Sequence, residues 1–202
     1  NAIAQYQRNR LPGQRVHVRG VVTLQRPGED FFIEDMTGGL QLKSRQFQSL
    51  KVGDVVDAVG FPAFVNYLPM LEDAVFRRDE KPRATIQAKV VSLQEIKDGL
   101  HHADLVTLTA KLLNRNIEPG QLFSHRSWTH ITLLLQDDNQ PFTAVAELPH
   151  GVTTLANIPI GSTLQLTGVC FTETDADQRL KSLQILLPGA GSVRVLARPS
   201  WF

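Results

Sequence analysis

The run Val16-His17-Val18-Arg19-Gly20-Val21-Val22 alternates apolar with polar side chains. That period of two puts Val16 and Val18 on one face and His17 and Arg19 on the other, as a half-buried strand requires. Reading outward, Pro27-Gly28 makes a turn into a second strand, Asp30-Phe31-Phe32-Ile33-Glu34-Asp35, and Thr37-Gly38-Gly39 turns the chain into Leu40-Gln41-Leu42-Lys43. These segments form a meander. The polar stretch Ser44 to Leu50 has room for one or two helical turns. Val52-Gly53-Asp54 then turns into Val55-Val56-Asp57-Ala58-Val59-Gly60-Phe61, and a last strand is expected near Met70–Phe76, behind the loop Asn66-Tyr67-Leu68-Pro69.

Three strands, a short helix or loop, and two more strands is the order of a five-stranded Greek-key barrel, the OB-fold. The crowded segment Arg77-Arg78-Asp79-Glu80-Lys81-Pro82 reads as a linker, and beyond it the pattern starts again. Val106, Leu108 and Ala110 alternate with Thr107 and Thr109. Ile131, Leu133 and Leu135 mark a strand ending in the turn Asp137-Asp138-Asn139, and Phe142 to Leu148 marks another. Ile158-Pro159-Ile160-Gly161-Ser162-Thr163-Leu164-Gln165-Leu166-Thr167-Gly168 aligns with Leu50-Lys51-Val52-Gly53-Asp54-Val55-Val56-Asp57-Ala58-Val59-Gly60: apolar-Gly-polar, a strand, then Gly, at identical spacing. Such a repeat implies a second copy of the same unit, and the strand glycine relieves crowding where a barrel strand bends sharply. In this second copy Gly151 to Ile158 takes the helix position, Asn114 to Ser127 reads as an extended hairpin loop and Thr172 to Arg179 as an exposed loop. Leu180–Leu187 and Val193–Leu196 close it, and Ser92 with Glu95 signals a capped helical turn between the copies. The expected fold class is mainly β: two tandem OB-fold-like five-stranded Greek-key barrels with short helices, residues 1–82 and 83–202.

Length and charge limit the function. At 202 residues the chain can bury a core without disulfide or metal staples, and its hydrophobic fraction of 42% is ordinary for a globular protein. Its 21 basic and 20 acidic residues give a net charge of +1, spread evenly over both copies. Strong non-specific nucleic-acid binding needs an excess of positive charge, so nucleic acid is an unlikely partner on this count. A single Cys excludes an intrachain disulfide and a Cys-rich zinc site, and no apolar run reaches the length of about 18 residues that a membrane helix needs. The chain starts at Asn1 without initiator Met or signal peptide, which suggests an excised or processed piece.

No catalytic set emerges. His101-His102 lack the i, i+4 spacing of helical zinc sites, and His17, His125, His130 and His150 fall on different elements. Cys170 continues the inward alternation of Leu164, Leu166 and Gly168, where a thiol without a positive neighbour is inert. Gly189-Ala190-Gly191-Ser192 lacks the third glycine and the helix of a dinucleotide loop. Glu34 and Asp35, as consecutive strand residues, face opposite ways and cannot act as a carboxylate pair. Asp35 with Thr37-Gly38-Gly39 is better read as a turn bonded to its own backbone, and Asp175 and Asp177 as solvated carboxylates. What remains is the outer barrel face centred on the second and third strands. With Phe31 and Ile33 inward, Phe32 points out beside Glu34, with His17, Arg19 and Lys43 as neighbours, and an exposed aromatic flanked by basic groups stacks a base or a sugar. Packing of Phe32 against the second copy is the alternative. Trp128 and Tyr67 pose the same choice.

The segments Val16-His17-Val18-Arg19-Gly20-Val21-Val22-Thr23, Phe32-Ile33-Glu34-Asp35-Met36-Thr37-Gly38-Gly39-Leu40 and Leu50 to Gly60 resemble the tandem OB-like extracytoplasmic regions of bacterial sensor proteins, membrane-bound histidine kinases and diguanylate cyclases. The ending Val195-Leu196-Ala197-Arg198-Pro199-Ser200-Trp201-Phe202 is similar to the segment that leads such regions into the bilayer, where Trp suits the headgroup interface. The resemblance implies a non-catalytic sensing region on the periplasmic side of the inner membrane. It implies an unknown small ligand or periplasmic protein as partner, a dimer in the full receptor, a membrane helix after Phe202, and no cofactor. The competing expectation is a tandem OB-fold protein binding single-stranded nucleic acid or an oligosaccharide.

Overall fold

The alternating segments are strands in the computed structural model, which describes residues 13–26, 28–65, 68–80, 83–121, 127–149, 151–152, 154–175, 177 and 179–200. The loop residue Tyr67, the linker residues Lys81 and Pro82, His125, His150 and the terminal Trp201 and Phe202 lie outside this set. Strands β1 (Val16–Arg26), β2 (Asp30–Asp35), β3 (Gly38–Leu42), β4 (Val55–Val65) and β5 (Leu68–Arg78) close into a barrel in the order β1-β2-β3-β5-β4. β3 and β5 run parallel and the other neighbours antiparallel. The inward residues Val22, Phe31, Ile33, Leu40, Leu42, Val56, Ala58, Leu71 and Phe76 fill it.

The second half holds β6 (Lys89–Val90), α1 (Leu93–Lys97), β7 (Leu105–Gln121), β8 (Ser127–Asp137), β9 (Gln140–Pro149), β10 (Thr163–Thr174), β11 (Leu180–Leu187) and β12 (Val193–Ala197). They form one seven-stranded sheet, β12-β10-β11-β9-β8-β7-β6, with a further pairing of β10 to β7. That pairing makes a ring β7-β8-β9-β11-β10, the strand order of the first barrel, and β9 and β11 are parallel as β3 and β5 are. The match extends to single atoms. Gly53 N donates to Val22 O and Val22 N to Asp54 O, both at 2.8 Å; Gly161 N donates to Leu112 O at 2.8 Å and Leu112 N to Ser162 O at 2.9 Å. A bulge follows each of Val22 and Leu112, adding the local twist a barrel needs.

The sequence left a short helix or a loop open after β3 and put the helix position of the second copy at Gly151–Ile158; neither segment is helical where described. Residues 44–50 are irregular, and 151–158 are turns where described. Each segment sends apolar side chains into the core of its half, Leu50 in the first and Leu155 and Ile158 in the second. In the first copy glutamine side chains replace helical hydrogen bonds. Gln46 bonds both Phe76 N and Phe76 O, and Gln25 accepts from Leu50 N and donates to Gln48 O. The capped turn does form: Ser92 and Glu95 make a capping box on α1. Asn114–Ser127, expected as an extended hairpin loop, is a hairpin with far more strand in its arms than expected. β7 and β8 stay paired from Asn114 opposite Leu134 to Gln121 opposite Ser127. Along 113–121 β7 has no second neighbour, since β10 and β6 pair only with residues up to Lys111. A free edge tolerates Pro119 and Gly120, and those residues gave the segment the look of a loop. The closing strand expected at Val193–Leu196 forms as β12 and pairs with β10, so Val195–Ala197, the start of the segment read as leading toward a bilayer, belongs to the sheet.

The two sheets meet across Leu24 and Phe32 on one side and Ala103, Leu105, Val169 and Leu186 on the other. Backbone approaches backbone at Gly39, where an added Cβ would stand 1.9 Å from Ala103 O. Polar groups cross the seam reciprocally. Leu105 N donates to the Glu34 carboxylate at 2.6 Å, and Gly39 N to the Asp104 carboxylate at 2.7 Å. The Lys89 ammonium lies 2.7 Å from Asp104 and 3.3 Å from Glu34.

The repeated strand glycine has a steric cause. A Cβ on Gly60 would lie 2.7 Å from Glu72 O, and one on Gly168 2.6 Å from Leu186 O. Gly60→Ala and Gly168→Ala should each destabilise the protein by about 1–3 kcal/mol through overpacking, read as a lower urea midpoint with unchanged slope.

Candidate functional site

The four residues expected to bind a ligand do not converge. His17 Nε2 is 3.1 Å from Asp57, and the Arg19 guanidinium bridges Asp57 and Asp79 at 2.5 Å each. Both sit on the outer side of β1 where it pairs with β4. Lys43 is exposed at the end of β3, in a shallow recess with Arg45, Glu72 and Asp73. Phe32 does point out of its barrel, but it is 0% exposed. It meets Phe171 edge to face at 6.2 Å, so it packs the seam and offers no face to a stacking ligand.

In the second sheet the matching face is open. Matched pairings place Leu134 where the first barrel has Phe32, since Asn114 pairs Leu134 as Leu24 pairs Phe32, and Leu134 is 37% exposed. Beside this face lies a groove of about 1160 Å³. Its floor is the outward row Trp128, His130 and Thr132 of β8, Thr143, Val145 and Glu147 of β9, and Gln184 and Leu186 of β11. Its other wall comes from the first barrel: Leu24, Gln25 and Arg26 at the end of β1, and Phe47, Ser49, Leu50, Lys51 and Val52 of the loop after β3. The Gln25 and Gln46 bonds hold that loop, and Phe47 stands 96% exposed on it.

The charges lining the groove differ in how far they are satisfied. Arg26 grips Asp30 with two nitrogens at 2.6 and 2.7 Å, has Glu29 at 3.3 Å and lies 5.5 Å from the Phe171 ring centroid. Burial works against its charge, and the Asp30 hydrogen bonds outweigh that, holding it above its ordinary value. Lys51 forms no ion pair among the described residues. Glu147 stands opposite His130 across the strand pair. Burial pushes its carboxyl above the usual range and nearby Glu29 adds to this, against the pull of His130 and Arg26. Sequence reasoning missed Phe47, His130 and Glu147. The parity of Ile131, Leu133 and Leu135, read as inward, already sends Trp128, His130 and Thr132 outward.

No protein-family model and no curated protein matches the chain. Several solved structures are similar to it. A murine DNA-binding protein bound to double-stranded DNA is 11% identical, with 91% of this chain and 98% of that chain covered and a TM-score of 0.42. A replication protein A heterotrimer bound to single-stranded DNA is 14% identical, with 95% of this chain and 51% of that one covered and a TM-score of 0.37. The single-stranded DNA-binding protein from Thermus aquaticus, as a deletion mutant, is 10% identical, with 92% and 95% covered and a TM-score of 0.32. These findings correct the resemblance drawn from the sequence: the three structures named are of DNA-binding proteins and not of sensor regions of kinases or cyclases. The expectations of a periplasmic sensing role with a small ligand or periplasmic protein as partner, and of nucleic acid as an unlikely one, are withdrawn with it. The physical reason is that the motifs carrying the resemblance are those that close an OB barrel, whatever it binds. Among the described residues no helix is long and apolar enough to cross a membrane.

One titratable group near the seam stands apart. His102 Nδ1 accepts from Thr172 N at 3.3 Å and lies 3.0 Å from Thr172 Oγ1, which places the neutral ring's proton on Nε2, a buried atom without a partner among the described residues. Burial pushes His102 from 6.5 down to about 4, against a smaller pull from Asp104. Between those values the unfolded chain binds a proton that the folded chain refuses, so stability falls as pH drops through that window. The loss should reach on the order of 3 kcal/mol near pH 4. Urea midpoints of wild type and His102→Gln measured from pH 7 to 4.5 check it: the variant should show the flatter profile.

Proposed function

We propose that the chain is a non-catalytic binding module of two tandem OB-like barrels, residues 1–82 and 83–202, that holds a single-stranded nucleic acid in the groove between them. The observation that carries this reading is the open β8–β9 face, with Trp128 on the floor and Phe47 on the opposing loop. Bases stacked on aromatic side chains gain about 1–3 kcal/mol each without regard to sequence. From Trp128 to Thr132 the strand advances about 13 Å, at roughly 3.3 Å per residue, which is room for two or three bases.

The charge pattern sets the mode of binding. Arg26 is neutralised by Asp30 and Glu29, leaving Lys51 as the groove cation without an ion pair among the described residues. Recognition therefore rests on bases more than on phosphates, in keeping with a net charge of +1. A second reading, an oligosaccharide, draws on the neutral polar lining of Thr132, Thr143 and Gln184.

Fluorescence anisotropy with labelled single-stranded oligonucleotides at low and high salt tests the proposal. Binding should weaken only mildly with salt, with a log–log slope near −0.7 for about one phosphate contact. Phe47→Ala and Trp128→Ala should each cost about tenfold in affinity. Absence of binding to any oligonucleotide at low salt would reject the reading, and salt-independent binding of a neutral glycan would favour the second.

A further inference from the structure

We infer that Glu147 makes the groove selective among bases, favouring those that present an exocyclic amino group, with cytosine preferred over thymine or uracil. This rests on the nucleic-acid reading above and adds to it a chemical preference that stacking alone does not supply.

The inference starts from hydrogen-bond accounting. Of the carboxylates at or near the seam, Glu34 and Asp104 accept backbone N–H groups and face Lys89, while Asp30 is held by Arg26 and Gln41. Glu147 is half-buried, lines the groove, and has neither a hydrogen bond nor an ion pair among the described residues. The charged and titratable groups around it are His130 from β8, Arg26 from β1, and Glu29 and Asp30 from the turn and start of β2. Arg26 is the cation that could satisfy it, and both ends of that guanidinium are engaged by Asp30 and Glu29. Its carboxylate faces the groove with its acceptor positions free of protein donors among the described residues, so a ligand that displaces the groove water must bring N–H donors or leave a desolvated carboxylate unpaired.

Position makes a base the donor. Glu147 pairs His130, and Trp128 lies two residues from His130 on the same face of β8, about 7 Å along the strand. A base stacked on Trp128 therefore has its edge within reach of Glu147. Cytosine turns an N4 amino group toward such a carboxylate, the pairing carboxylates use in reading bases, whereas thymine and uracil turn an O4 acceptor. Two acceptors face to face repel, so the preference has an attractive and a repulsive part. The two pyrimidines match in ring size, which leaves stacking nearly constant and isolates the edge.

The experiment is an anisotropy titration of the full chain with labelled oligo(dC) and oligo(dT) of equal length at pH 7.5 and low salt. Wild type should bind oligo(dC) about tenfold more tightly. In Glu147→Gln, whose amide both donates and accepts, the ratio should fall toward one by loss of affinity for oligo(dC) and gain for oligo(dT). Asp138→Asn, in the exposed β8–β9 turn and outside the groove lining, should keep the wild-type ratio, and thermal melts confirm that each variant is folded. Equal affinities in wild type, or a preference that survives in Glu147→Gln, would overturn the inference while leaving the nucleic-acid reading intact. Failure of both oligonucleotides to bind wild type would overturn the two together.

Discussion

Two carboxylates exchanged across the seam hold the rest in place. Glu34 of the first barrel accepts a backbone N–H of the second sheet at Leu105, and Asp104 of the second sheet accepts one of the first barrel at Gly39. Each is buried, so each must be satisfied, and an orphaned partner would cost more than the bond itself contributes. Burial drives the Glu34 carboxyl upward despite these partners, whereas for Asp104 Lys89, the Gly39 N–H and His101 outweigh burial and hold it below its ordinary value. Buried polar links of this kind are a poor source of net stability but a good source of unique geometry. Here they act with the close backbone approach at Gly39 to fix how the sheets face one another, and with that the width of the groove.

The fold was largely legible because barrel closure leaves local marks. Period two gave the strands, and Gly60 and Gly168 recur because β4 and β10 each press against the backbone of the next strand at the same point. The segments after β3 and β9 were not resolved as helix or loop, because nothing local says whether a polar segment bonds its own backbone or borrows amides from elsewhere. Gln25 and Gln46 decide that from 23 to 30 residues away. The β7–β8 extension was read as a hairpin but with too little strand, because Pro119 and Gly120 speak locally against a strand and only the pairing with β8 overrides them.

The site was less legible, for a reason visible at Phe32. Alternation correctly sent Phe32 and Glu34 out of the barrel, but outward means solvent only if nothing covers the face. Leu105, Val169 and Leu186, far away in sequence, cover it. The resemblance to sensor regions failed on the same point. It rested on residues such as Val16–Val22, Gly39 and Gly53–Gly60, which build the barrel or seal the seam, and on none of the side chains of the groove floor.

The two halves share a strand order but use their outer faces differently. One barrel of a tandem pair must give up an outer face to join its neighbour, and here the β2–β3 face of the first copy is used. The second copy keeps part of its equivalent open, with Leu134 partly exposed at the place of Phe32 while Val145 packs against the seam. Its β8 also starts earlier than β2: Thr132 matches Asp30 by register, so Trp128 and His130 lie beyond anything the first copy's β2 contains. The added length that made the second copy look irregular is thus the part that supplies the groove floor. Extensions carried on a rigid β scaffold are where binding surfaces concentrate, because the scaffold keeps its own hydrogen-bond ladder whatever the extension bears. In this chain the scaffold is common to both halves, and the surface that distinguishes them lies past its end.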